Sequence, residues 1–354
     1  LVTLASGGEL QRWGWGEPFQ SAFAAIKNTR LSPARVVEEL RGAYLVQSEE
    51  GELSATISGR LRHQAKSRVD FPAVGDWVAI KVRAAEKSAT ILSILPRRSK
   101  LSRKSSGEET SEQIIAANLD TVFIVTSLNQ DFNIRRLERY LALVAESGAS
   151  AAILLTKADL RPDSVTAERD IQAMSAHVPV LSISVISGIG LETLAPFLKS
   201  GQTIALIGSS GVGKSTLINR LIGFEQQSVQ PVRETDDRGR HTTTSRRMLR
   251  LPGGGLLIDT PGMRELQTWE STGVDNTFAD ITTLISACRF GNCKHRTDAG
   301  CAVQAAIADG QLKADRYAHY LKLGEEAEAL AIQHSAEEKL KANQKIKQAR
   351  REAR

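Results

Sequence analysis

Apolar positions along this chain follow two rhythms, and the change between them divides it. From 36 to 100, short β-rich runs at Ala43–Gln47, Leu53–Ser58, Asp76–Val82 and Thr90–Ile94 alternate with Gly, Asp and Pro turns. Four or five short strands in about 65 residues suit a small closed barrel. Basic side chains scattered through it favour an OB-type barrel, with an SH3-like barrel as the alternative. Ahead of it, residues 1–35 hold a helical extension. Glu17-Pro18 starts a helix whose Phe19, Phe23 and Ile26 share one face before Asn28. Residues 101–114 are polar and Ser-rich and read as a linker.

Between 115 and 275 the rhythm changes. Leu119–Thr126, Ala151–Thr156, Val178–Ser182, Thr203–Ile207 and Leu256–Asp259 are apolar runs fit for buried parallel strands. Between the first two, residues 133–147 have helical spacing, with Leu137, Tyr140, Leu141 and Val144 on one side, Asn133 as cap and Gly148 as stop. Alternating strand and helix predicts an α/β domain whose parallel sheet is covered on both faces. From 276 to 354 strands give way to a Cys/His cluster and helix-rich sequence, ending in an Ala-, Lys-, Gln- and Arg-rich tail. The reading is multidomain: barrel, α/β domain, C-terminal helical module.

Composition excludes more than it selects. With 41% hydrophobic and 24% charged residues in 354, the chain is neither disordered nor collagen-like. No apolar run approaches the roughly 18 residues of a membrane span. The first residues show no basic-then-apolar pattern, so secretion is not expected. All three cysteines fall between 288 and 301, which suits a reducing compartment; a cytoplasmic protein is expected. The net charge of +6 is uneven. Arg60 to Lys104 carries twelve Lys/Arg against three acids, and Lys339 to Arg354 seven against one, so the remainder is acidic. Two basic regions on an acidic body point to a polyanionic partner.

The strongest local signal is G-x-x-x-x-G-K-S over 208–215, between the strand Thr203–Ile207 and a helix through Leu217, Ile218 and Leu221. It makes Gly208, Ser209, Ser210, Gly211, Val212, Gly213, Lys214, Ser215 and Thr216 a phosphate-binding loop. Its backbone N–H groups and the helix N-terminus face the phosphates. Lys214 should reach the β and γ phosphates, and the Ser215 hydroxyl should ligate Mg²⁺.

Three further stretches choose the nucleotide. Asp259-Thr-Pro-Gly262 ends a strand about 45 residues after the loop, where Asp259 can hold Mg²⁺ through water and the Gly262 N–H can sense the γ-phosphate. Thr156, Lys157, Ala158 and Asp159 resemble the [NT]-K-x-D base motif of GTPases. The Asp159 carboxylate can accept both N1–H and N2–H of guanine, and adenine offers neither. Ser184-Val-Ile-Ser-Gly188 resembles the looser S-A-x-x-G guanine motif, carried by Ser184. Within His241-Thr-Thr-Thr244 a threonine can close over Mg²⁺ and the γ-phosphate. All of Thr242–Thr244 fit, and Thr243 is taken as the second magnesium ligand beside Ser215. Met263 stands where many GTPases carry a water-orienting glutamine, so His241 becomes the candidate catalytic side chain with Lys214 and Thr243. A P-loop ATPase or nucleotide kinase, and an RNA-binding scaffold with a nucleotide-locked, non-hydrolysing site, remain the alternative classes.

The order of these motifs is permuted. Ordinary GTPases run phosphate loop, switch one, D-x-x-G, base motif; here the base motifs at 156 and 184 precede the loop at 208. Close termini make such recutting physically tolerable. Beyond it, Cys288, Cys293, His295 and Cys301 offer three thiolates and an imidazole, a closed tetrahedral set for one structural Zn²⁺.

Together these residues resemble the ribosome small subunit-dependent GTPase A family (RsgA, also called YjeQ), over nearly the whole chain. The resemblance implies GTP and GDP as ligands, the small ribosomal subunit and its rRNA as partner, no membrane, a monomer, and subunit-stimulated GTP hydrolysis in late subunit maturation. Thr156 in place of Asn departs from the strict base motif and predicts looser contacts to the phosphate loop.

Overall fold

The computed structural model describes residues 8–104, 112–128, 132–160, 168–169, 171–172, 175, 177–223, 246–259, 272–296, 298–329, 331–332 and 335. These divide into two compact units. One takes in the described residues of 8–103, 112–132 and 148–259, the other Lys104 and those of 133–147 and 272–335.

The first unit begins with two short helices, α1 (Glu9–Arg12) and α2 (Glu17–Ala24). Leu10, Trp15 and Phe19 bury against Trp77 and Leu95, with Phe23 and Ile26 alongside, as the helical spacing predicts. The Trp15 and Trp77 rings meet edge-on at 4.7 Å. Five strands follow: β1 (Ser32–Leu40), β2 (Ala43–Ser48), β3 (Gly51–Ile57), then, after helix α3 (Gly59–Gln64), β4 (Trp77–Arg83) and β5 (Ser88–Ile94). They pair in the order β1-β2-β3-β5-β4, and β4 returns to β1, which closes the barrel. Alternate residues supply the core: Ala34 and Val36, Val78 and Ile80, Ala89 and Ile91, with Val46 and Ala55. Strand β1 escapes the hydrophobic pattern because Pro33, Arg35, Glu38 and Glu39 interrupt it.

The stretch 101–114 is not a bare linker. β6 (Lys100–Lys104) and β7 (Glu112–Ala117) form a two-stranded sheet, with the Lys100 ammonium 2.9 Å from Glu112 and Arg103 Nε donating to Gln113. Cross-strand polar pairs stabilise it where apolar alternation is weak, which is why it reads as linker.

A sheet then builds from β8 (Thr121–Ser127), β9 (Ser150–Thr156), β10 (Val180–Ser182), β11 (Thr203–Ile207), β12 (Arg247–Arg250) and β13 (Leu256–Asp259). Its order is β10-β9-β8-β11-β13-β12, parallel except for β12. β12 pairs onward with β1 at Arg247 and Glu38, so barrel and sheet run together as eleven strands. Four residues with two arginines gave β12 no sequence signature.

The join is polar and buried. Arg35, inside β1, donates to the Gly75, Trp13 and Asn118 carbonyls, and burial pulls its pKa down to about 9. Gly75 must be glycine: its φ is +97°, and a Cβ would stand 2.0 Å from the Ala117 carbonyl oxygen. Arg97 holds the fully buried Asp76 through both carboxylate oxygens, at 2.8 and 2.7 Å, and also donates to the Val69 and Phe71 carbonyls.

The second unit is helical. It contains α4 (Ile134–Ser147), and, beyond the sheet helix α5 (Lys214–Ile222), α6 (Thr272–Thr277), α7 (Ala279–Ser286), α8 (Ala302–Ala308) and a helix over 314–329. Sequence spacing assigned α4 to the nucleotide domain; its Ala142 instead shares a core with Val274, Phe278, Ile281, Val303 and Leu323. Gly273 permits this approach, since a Cβ there would lie 2.2 Å from the Ala142 carbonyl oxygen. Buried Glu138 of α4 accepts from Arg316 and lies 2.5 Å from His319 Nδ1, a charged pairing inside this unit. The basic tail over 336–354 lies outside the described residues.

Candidate nucleotide site and metal centre

The carboxyl ends of parallel strands are where ligands bind in open α/β sheets, and the predicted motifs gather there. β11 enters the phosphate loop and α5 leaves it. Gly208, Gly211 and Gly213 all have positive φ (147°, 79° and 98°). A Cβ on Gly208 would stand 2.1 Å from the Val125 carbonyl oxygen, so only glycine lets the loop pass β8. Val212 anchors the loop in the core, while Ser210 and Gly211 are exposed. Ser215 and Thr216 lie exposed on the first turn of α5. Lys214 Nζ donates to the carbonyls of Gly208 and Ser209 at 2.7 and 2.5 Å, folding back over its own loop. The ammonium is therefore held against the first residues of the loop.

The base motif sits directly beside this loop. Thr156 ends β9 and is 2% exposed; its hydroxyl lies 2.6 Å from the Val212 carbonyl oxygen and 3.1 Å from that of Thr126. Sequence reasoning expected Thr156 to loosen the loop contacts. The threonine nonetheless makes a contact of its own to the loop, its hydroxyl lying within hydrogen-bond reach of the Val212 carbonyl. Lys157, at φ +62°, turns the chain so that its Nζ donates to the Gly211 carbonyl at 3.3 Å. Ala158 N–H donates to the Ile183 carbonyl, and Asp159 stands exposed in the turn that follows. Ser184 is buried after β10; its Oγ accepts from Ser187 N–H, and its own N–H donates to the Ile189 carbonyl. So Thr156, Lys157, Asp159 and Ser184 come together with 208–216 on one edge. The partners Val212 and Gly211 had no signal in the sequence beyond loop membership.

Asp259 ends β13, next to β11, with Ala205 opposite Ile258. That register puts Asp259 beside the last residues before the loop. Gly262, Met263, His241 and Thr243 lie outside the described residues, as do Thr242 and Thr244.

In the second unit the ligand atoms of Cys288, Cys293, His295 and Cys301 all lie within 4.8 Å of one another. Cys288 Sγ is 3.4 Å from His295 Nδ1 and 4.0 Å from Cys301 Sγ; Cys301 Sγ is 3.7 Å from His295 Nδ1. A tetrahedral zinc with bonds of about 2.3 Å to sulfur and 2.0–2.1 Å to nitrogen requires edges of roughly 3.5–3.8 Å. The donor set and spacings fit that ion. Gln304, three residues after Cys301, gives its backbone N–H to the Cys301 sulfur and its side-chain amide to the His295 carbonyl. It orients two ligands at once, a role the ligand spacing alone does not reveal.

These geometries agree with known proteins. Residues 94–269 match the family model described as RsgA GTPase. The small ribosomal subunit biogenesis GTPase RsgA of Opitutus terrae is 44% identical over 327 residues, covering 90% of this chain and 89% of that protein. The chain belongs to the RsgA GTPase family. It shares its fold with solved structures of that kind: YjeQ from Thermotoga maritima, at TM-score 0.63 and 25% identity over 84% of this chain and 98% of that one, and YloQ, described as a circularly permuted GTPase, at TM-score 0.61 and 28% identity over 85% and 96%. The strand order explains the permutation. β8, β9 and β10 come before the loop in the chain, yet β8 pairs with β11, so the strands ahead of the loop and the loop strand lie in one sheet. Among the described residues no helix is long and apolar enough to cross a membrane.

Proposed function

We propose that this RsgA-family chain is a cytoplasmic, monomeric GTPase that binds the small ribosomal subunit through rRNA and acts late in its maturation, turning GTP into GDP and phosphate when the subunit engages it. The observation that carries the nucleotide half is the contact from Thr156 to Val212: the base-reading segment and the phosphate loop, 56 residues apart, are held as one site. Asp159 reads guanine; Lys214 and the loop N–H groups bind the phosphates and stabilise the charge that develops on transfer. Ser215 and Thr243 are the residues that would hold Mg²⁺, which would supply positive charge to the phosphates when bound. Cys288, Cys293, His295 and Cys301 would hold one structural Zn²⁺. His241 orients or deprotonates the attacking water, the role Met263 cannot fill.

The partner half rests on the names of the relatives and on the uneven positive charge of the chain. Co-sedimentation of the full chain with purified small and large ribosomal subunits, with a non-hydrolysable GTP analogue or GDP, tests it. Retention on the small subunit alone, stronger with the analogue, is expected. Equal retention on both subunits would contradict it.

A further inference from the structure

Strand β12 joins the barrel to the nucleotide sheet, and the join carries charge. β12 lies between β1 of the barrel and β13, whose last residue is Asp259. Arg247 is opposite Glu38 on one side and opposite Asp259 on the other. Residues directly opposite in paired strands share a face of the sheet, with Cβ atoms about 4.5–5.5 Å apart. Glu38, Arg247 and Asp259 therefore form a row of carboxylate, guanidinium and carboxylate.

The guanidinium is shared unequally. Arg247 Nε lies 3.5 Å from Glu38 Oε2, and among the described residues this is its one ion pair. The Glu38 side chain is mostly buried, so water and salt dilute the pairing little. Asp259 is the carboxylate expected to hold Mg²⁺ through water. An arginine fork matches a carboxylate well and would compete for it with a divalent cation. Glu38 gives the fork another place to rest.

The neighbours fix the register of the row. Arg246 Nη1 donates to Glu39 Oε2 at 3.2 Å and to the Ile114 carbonyl at 3.3 Å. Glu39 N–H donates to the Arg246 carbonyl at 3.4 Å. On the other side Met248, Leu249 and Arg250 pair with Ile258, Leu257 and Leu256. A one-residue slip of β12 would turn Arg247 away from both carboxylates. These contacts decide which arginine stands beside Asp259, and no nucleotide motif contains Glu38 or Arg247.

We propose that Glu38 and Arg247 are positioning residues for Mg²⁺-dependent nucleotide binding: Glu38, supplied by the barrel, draws the Arg247 guanidinium away from Asp259 and keeps it from competing with the metal for that carboxylate. The barrel thereby contributes a charge to the nucleotide site without touching the nucleotide. This rests on the GTPase reading above, in which Asp259 serves Mg²⁺.

The test uses the full chain carrying Glu38→Gln, Arg247→Gln or both. Glu39→Gln is the control, since it removes the neighbouring barrel carboxylate that pairs with Arg246. Equilibrium binding of a fluorescent, non-hydrolysable GTP analogue is titrated with Mg²⁺ at fixed ionic strength, and thermal unfolding confirms that each variant is folded. Glu38→Gln releases the guanidinium towards Asp259 and should raise the Mg²⁺ half-saturation about 2- to 5-fold, with analogue affinity in EDTA unchanged. Arg247→Gln removes the competitor and should not raise it. The double variant should return to the wild-type value, and Glu39→Gln should stay there. An unchanged half-saturation in Glu38→Gln, a double variant as impaired as Glu38→Gln, or an equal rise in Glu39→Gln overturns the proposal, while Mg²⁺-dependent binding by wild type leaves the functional reading standing. If Glu38→Gln does not fold, Arg247→Gln decides: a raised half-saturation there overturns the proposal, and an equal or lower one supports it. Wild type that binds the analogue without regard to Mg²⁺, or not at all, overturns the functional reading and the proposal with it.

Discussion

Replacing Thr156 by valine removes one hydroxyl and almost no volume, so its effect isolates the link between base motif and phosphate loop. In the wild type that hydroxyl is 2.6 Å from the Val212 carbonyl oxygen, in a place where both residues are 2% exposed. Valine leaves the carbonyl without this donor in a site with little access to water. A buried acceptor stripped of its partner costs about 1–3 kcal/mol. The loop can escape the penalty by turning the carbonyl outward, but it then loses the arrangement that aims its N–H groups at the phosphates. Either way nucleotide binding bears the cost, up to roughly 5- to 150-fold in affinity. Thr156→Ser keeps the hydroxyl and should stay close to wild type. The assay is equilibrium titration with a fluorescent GDP analogue, with thermal unfolding to confirm that the valine variant is folded. Wild-type affinity in Thr156→Val, or equal weakening in Thr156→Ser, would refute the reasoning.

Other substitutions probe separate parts. Asp159→Asn turns one acceptor into an NH₂ donor facing the guanine amino group, so it should lose GTP by about one to two powers of ten and gain relative preference for xanthosine triphosphate, as competition binding would show. Cys293→Ser should abolish zinc in metal analysis of the purified chain and loosen the C-terminal unit, with guanine-nucleotide binding retained. Arg97→Gln strands the fully buried Asp76 carboxylate and should lower stability by about 3–5 kcal/mol, read by denaturant unfolding. His241→Ala should slow single-turnover hydrolysis far more than it weakens GTP binding.

The long apolar strands and the motif spacings were legible because each is local. Burial on both faces writes β8, β9 and β11 as apolar runs, and a phosphate loop must have its glycines. What stayed hidden depended on partners distant in sequence. β1 carries Arg35 in its middle because three backbone carbonyls from separate segments surround the guanidinium. β12 is too short and charged to register alone, and exists as a strand because β13 and β1 flank it. α4 has the spacing of a sheet-covering helix, yet Gly273 and the pairing of Glu138 with Arg316 and His319 tie it to the C-terminal helices. Part of the positive charge counted between Arg60 and Lys104 is paired internally, because the acids that meet Arg97, Arg98 and Lys100, namely Asp76, Asp120 and Glu112, lie up to 22 residues away in the chain.

The central claim is that the permuted site is a GTPase switched on by the small ribosomal subunit. Phosphate release from GTP by the purified full chain, with small subunits, with large subunits and with neither, tests it most directly. The account predicts slow turnover alone, marked stimulation by small subunits only, and no comparable release from ATP. Equal rates with and without small subunits, or ATP hydrolysed as readily as GTP, would contradict it.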